Sequence, residues 1–239
     1  MEIDRRDLVR YGGTGLLTAV ILLVLVGSGW ALIRGKSPVD SALDNIRRMP
    51  LIGSVMADNS EVEGRMRKAV EDENRSPTLD GLSRPSALIA DLRRQYVTPA
   101  LRAADDPAAI AAVAARADLV RHLRRTDVAA CRGFSVGALQ RPDALDPEGR
   151  RLFGLWQQAM GTAYRSGKAA GQPRSLPTRP EVVELLKQAG FQKVDFDRLN
   201  AFRHLSNEVS CEIELMVDSA PPSLPADKRG PFARYVLTN

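Results

Sequence analysis

Aromatic residues are scarce, making up 5% of the 239 residues. A chain so poor in Phe, Trp and Tyr lacks the side chains that fill β-sandwiches, whereas its plentiful Ala, Leu and Arg are good helix formers. The fold class expected is all-α, with helices packed through aliphatic side chains into an irregular multi-helix bundle. Cysteine occurs only at Cys131 and Cys211, and histidine only at His122 and His204. So few ligands exclude a cysteine-rich scaffold, and the spacing of each histidine to the cysteine after it matches no standard zinc knuckle. No metal or other cofactor is expected. Disorder throughout is excluded by the 44% hydrophobic content, which suffices for a core at this length.

Charge is absent from Tyr11 to Ile33, and within that stretch Leu16 to Val26 is almost wholly aliphatic. At 1.5 Å per residue, such a helix is long enough to cross a hydrocarbon layer of about 30 Å. Arg10 and Arg34 fence the stretch, and Tyr11 and Trp30 lie just inside, where aromatic side chains favour the headgroup boundary. The expected organisation is a tail at 1–11, a single transmembrane anchor at 12–33, a tether at 34–59 and a helical soluble domain at 60–239. A cleaved secretory signal is the alternative, since the dense apolar part is short. The small-x-small sites near Gly27 to Ala31 are followed by more apolar residues, which favours retention.

The stretch Asp4-Arg5-Arg6-Asp7-Leu8-Val9-Arg10 resembles the twin-arginine export signal: paired arginines, a variable residue, two apolar residues and a base. Asp4 departs from the pattern, where a small hydroxyl residue is usual. The resemblance implies export after folding. Basic residues flank both ends of the span and give no orientation by themselves. A short tail before a long translocated domain favours the N-terminus inside and the domain in the periplasm, on a single-pass inner-membrane protein.

Beyond the anchor, periodicity and start signals mark the elements. The tether carries a short helix from Val39 to Arg48, ended by Pro50. A charged helix capped by Asn59 or Ser60 runs to about Glu73. The apolar face of Leu88, Ile89, Leu92, Tyr96 and Leu101 is interrupted by Pro99, which predicts a kink or split. Asp106 before Pro107 and Asp146 before Pro147 join a capping carboxylate to a proline at the first helical position, where no donor is needed. Thr178 with Glu181 opens another helix, which Gly190 ends. Asp195 or Asp197 starts a further one. Residues 208–215 read as a helix capped by Ser206, although their polar-apolar alternation also suits a strand. A last helix is predicted from Pro231 to Leu237.

Several residue sets carry chemistry. In an oxidising compartment Cys131 and Cys211 form a disulfide; otherwise they are buried or reactive thiols. Gly133-Phe134-Ser135-Val136-Gly137 has the spacing of a nucleophile elbow, but an elbow needs a strand before it, and the flanks here read as helix. Ser135 is therefore expected in a turn. Arg116, Arg121, Arg124 and Arg125 form the densest basic group, suited to an anionic surface or simply to solvent. The net charge of +5 is spread among nearly as many carboxylates, and no aromatics interleave the arginines, so nucleic acid is not an expected partner. The expected partners are the lipid bilayer, through 12–33, and another envelope protein. The expected function is a membrane-anchored helical interaction or scaffold domain facing the periplasm or exterior, a subunit or accessory of an envelope complex. The alternatives are an envelope hydrolase or lyase, or an adaptor facing the cytoplasm.

Overall fold

Pro38–Arg47 (α1), Pro50–Asp58 (α2), Ser60–Arg75 (α3) and Arg84–Leu92 (α4) open the computed structural model, which describes residues 37–77, 83–135 and 145–239. A π-helical turn, Arg93–Val97, leads into Thr98–Ala103 (α5), followed by Asp106–Thr126 (α6), Val128–Ser135 (α7) and Pro147–Ala170 (α8). Arg179–Gln188 (α9), Lys193–Asn200 (α10), Asn207–Asp218 (α11) and Ala226–Thr238 (α12) complete the chain, with short 3-10 turns at Phe202–His204 and Pro221–Ser223. The expected all-α class holds, and among the described residues there is no strand. Among them, too, no helix is long and apolar enough to cross a membrane. The anchor expected at 12–33 lies outside the described residues.

The two Asp-Pro signals build the centre, where α6 packs along α8. Asp146 caps α8 as expected, its carboxylate accepting from the Gly149 amide at 2.6 Å. At α6 the cap is one residue earlier than expected. Asp105 accepts from the Ala108 amide at 2.7 Å and from Ser166 Oγ of α8 at 2.7 Å. That frees Asp106 to pair with Arg234 of α12, whose guanidinium also donates to the Ala104 carbonyl at 3.1 Å. Leu119, Val120, Leu123, Trp156, Met160, Ala163 and Tyr164 are buried between these helices and their neighbours, each large side chain stabilising the fold by roughly 1.5–3 kcal/mol. The last turn of α8 meets α5 so closely that a Cβ on Gly167 would lie 1.7 Å from the Ala100 carbonyl oxygen. Only glycine permits that approach.

The segment expected as a tether is folded. From Pro38 to Asp58 it forms α1 and α2, and Leu43, Ile46, Leu51, Ile52, Val55 and Met56 belong to the common core. The first of these matches the short helix expected from Val39 to Arg48, whereas α2 and the burial of the segment were not expected, because α2 has only 9 residues and opens on a proline, too few to show a period by itself. Helix α1 runs antiparallel to α3, pairing Asp40 with Arg67 at 2.9 Å and Arg47 with Glu63 at 2.5 Å. Helix α4 in turn runs antiparallel to α3: Arg84 donates to the Asp72 carbonyl at 3.1 Å, Arg65 pairs with Asp91 at 2.7 Å, and Tyr96 donates to Glu61 at 2.5 Å. Pro99 lacks the amide that would bond four residues back. The ladder shifts there to a π turn, with the Thr98 amide bonded to the Arg93 carbonyl, the split that the sequence predicts.

In the C-terminal third, residues 208–215 are helical within α11, and the Val209 amide donates to Ser206 Oγ at 3.4 Å. A strand there would have had no partner. Helix α9 has the expected Thr178–Glu181 capping box, and Gly190 takes φ +98° just beyond it. Helix α12 begins at Ala226, before Pro231 rather than at it.

Candidate functional site

Three residues on one face of α11, Cys211, Glu214 and Asp218, are spaced so that they point the same way. They face α6 and α7. Cys131 of α7 and Cys211 are both fully buried and lie at bonding distance, their Cα atoms 6.0 Å apart, within the span of a disulfide. The pair expected from cysteine content is thus brought together by helices 80 residues apart in sequence.

One and two turns further along α11, Glu214 and Asp218 both meet Arg116 of α6. The guanidinium is hydrogen-bonded to the Glu214 carboxylate and donates to Asp218 Oδ1 at 3.2 Å. Arg116, Glu214 and Asp218 are 8%, 3% and 2% exposed, so this ionic group is a desolvated one, whose pairing must offset the cost of burying charge. Burial pushes the Asp218 carboxyl up to about 6 against the opposing pull of Arg116. Arg93, buried nearby, is pushed down to about 9 by burial and by the charge of Arg116. Arg116 and Glu214 also line a narrow cavity with the apolar side chains Val182, Leu186 and Phe232.

The four arginines expected to share an anionic-contact surface are divided by the fold. Arg116 is withdrawn into the interior, a correction with a simple cause: it lies three residues after Val113 and four before Val120, within the buried stripe of α6. Arg121 pairs with Asp118 at 2.5 Å and Arg124 with Glu212 at 3.7 Å. Arg121, Arg124 and Arg125 are exposed in the last turns of α6.

His122 and His204 are not brought together. His122 is buried, and its Nε2 lies 2.8 Å from Asp146 Oδ1, joining the end of α6 to the cap of α8. The Asp146 carboxyl is held below its ordinary value, first by the Gly149 amide and then by His122. His204 is exposed in a 3-10 turn. Among the described residues no group of His, Cys, Asp and Glu is placed to hold a metal. Ser135 is buried in the final turn of α7 rather than in the expected turn, and its hydroxyl has no hydrogen-bond partner among the described residues. The reason is Phe134, which anchors this turn by an edge-to-face contact with Trp156 at 4.8 Å.

A feature the sequence did not announce is an open groove of about 770 Å³ between the Ser175–Pro177 loop, α9 and α12. Leu176, Pro177, Pro180, Val183 and Pro231 give it an apolar floor, with Glu184 and Lys228 among its charged residues. No protein-family model matches the chain, and no curated protein or solved structure does.

Proposed function

We propose that the chain is a membrane-anchored helical interaction domain, held at the inner membrane by residues 12–33 with its folded part in the periplasm, as a subunit or accessory of an envelope complex. The observation that carries this reading is the meeting of the two cysteines. A buried disulfide persists in an oxidising compartment and is rare in the cytosol, where thiols are kept reduced. The uncharged stretch from Tyr11 to Ile33 supports the anchor. The apolar groove beside α9 supports interaction with an envelope protein, as a concave surface for a segment of that partner.

The test is labelling of Cys131 and Cys211 in intact spheroplasts with an impermeant thiol reagent, before and after reduction, the protein being unfolded only afterwards to read which cysteines were modified. Labelling that requires reduction, and that occurs without lysis, is the expected result. Labelling only after lysis would place the domain in the cytoplasm and overturn the proposal.

A further inference from the structure

We propose that Asp218 is a proton-operated lock between α6 and α11: while its carboxyl is protonated the cavity beneath α12 stays closed, and when the carboxyl ionises that cavity opens to water. The geometry of the ionic group is the first argument. Glu214 and Asp218, one turn apart on α11, share the guanidinium of Arg116, and all three residues are buried. An ionised carboxylate has about four lone-pair sites to satisfy. Asp218 Oδ1 accepts from Arg116 at 3.2 Å, whereas Oδ2 is buried with no hydrogen-bond partner among the described residues. A protonated carboxyl tolerates that position. An ionised one is left short of partners where water does not reach.

The surroundings reinforce this. Arg93 of the π turn stands beside Arg116 and repels it. Charged groups on the neighbouring helices have contacts of their own: Arg121 with Asp118, Arg124 with Glu212, Asp195 with Arg198, Arg234 with Asp106, and Arg132 over the Phe202 ring. Burial raises the Asp218 carboxyl to about 6 against the pull of Arg116, so the change of state falls near neutral pH.

The adjoining cavity decides what ionisation does. It has a volume of about 40 Å³, with Arg116 and Glu214 in a wall that is otherwise mainly apolar, including Leu186, Leu199, Phe232 and Val236. A space of that size holds about three waters. Once ionised, Asp218 competes with Glu214 for the guanidinium, and carboxylate oxygens that lose Arg116 need water in its place. The cavity lies beside Glu214, and the last turns of α12 close it from one side. Arg234, paired with Asp106, fastens the middle of α12 to the start of α6, so the movement falls on the turn beyond it.

The test is hydrogen exchange of the full chain in detergent at pH 5 and pH 7.5, read by mass spectrometry and corrected for the intrinsic pH dependence of amide exchange. For a carboxyl near 6 when closed and at its ordinary 3.8 when hydrated, the open state gains about tenfold over the closed one between these two conditions. A loss of protection of about that size is expected in residues 236–239. It should be absent in Asp218→Asn, whose amide keeps the shape of the protonated carboxyl. Urea below the unfolding transition should speed this exchange little, because a local opening exposes little surface. Should Asp218→Asn fail to fold, Glu214→Gln serves as the second variant: it leaves Arg116 to Asp218 alone, and most of the pH dependence in this range should vanish. Protection that is equal at the two pH values, or a loss that persists in the variants, overturns the proposal. So does a loss that urea accelerates as steeply as it does the slowest amides of α6, since that is unfolding of the whole domain.

Discussion

The α1–α3–α4 layer and the α6–α7–α11 layer are both joined by ionic contacts, but in opposite surroundings. In the first, Asp40–Arg67, Arg47–Glu63 and Arg65–Asp91 all bridge helices at the surface, each side chain more than a third exposed. In the second, Arg116, Glu214 and Asp218 are enclosed, and Cys131–Cys211 adds a covalent link on the same face of α11. Exposed pairs gain little because water screens the charges and ordering two long side chains costs entropy. Buried groups differ: once one charge is removed, the remaining ones are stranded without solvent. The first layer therefore depends on its apolar core, and the second on its polar contacts staying complete.

The largest effect that would break this comparison is at Arg116. Arg116→Met strands two buried carboxylates and is expected to destabilise the domain by about 3–5 kcal/mol in urea unfolding. Combining it with Glu214→Gln and Asp218→Asn removes the stranded charges, and much of that loss should return. Next is the covalent link: replacing both cysteines with alanine is expected to cost about 2–4 kcal/mol, read from the same transition without reductant.

A third prediction concerns pH. The folded Asp218 carboxyl holds its proton up to about pH 6, whereas its ordinary value is 3.8. Between those values the folded state binds more protons than the unfolded chain, so this residue makes stability fall as pH rises through the window. Asp218→Asn should abolish that component in unfolding measured from pH 4 to 7. Asp105 and Asp146 have the opposite sign, since both are held below the ordinary value by the amides and side chains they cap or meet. Their contribution is lost only as pH falls below the normal carboxylate range. The smallest effect is expected for Arg47→Ala or Arg67→Ala, about 0–1 kcal/mol and further reduced by salt. A loss at either as large as that at Arg116 would dissolve the contrast between the layers.

How much of this was legible depended on the kind of signal. Asp146-Pro147, Thr178 with Glu181, and Gly190 each act through local backbone chemistry, and each does locally what its residue type implies. Pro99 likewise announced the split before α5. The same logic misplaced the cap of α6 by one residue, because Asp105 and Asp106 are equally good caps in sequence, and only the partners Ser166 and Arg234 distinguish them. The burial of Arg116 was readable in principle from its place between Val113 and Val120. What was missing was the partner helix, since Glu214 and Asp218 lie about a hundred residues away. Pairing of Cys131 with Cys211 followed from their being the chain's only cysteines. The groove beside α9 had no counterpart in sequence, because it is made by the packing of three separate segments.

The central claim, that the domain resides in an oxidising compartment with its two cysteines joined, is tested most directly by peptide mapping of the protein taken from cell envelopes. Free thiols are blocked at lysis, and the protein is digested without reduction. The account predicts a linked pair of peptides containing Cys131 and Cys211, separable only by reduction. Recovery of both cysteines in blocked, unlinked peptides would contradict it.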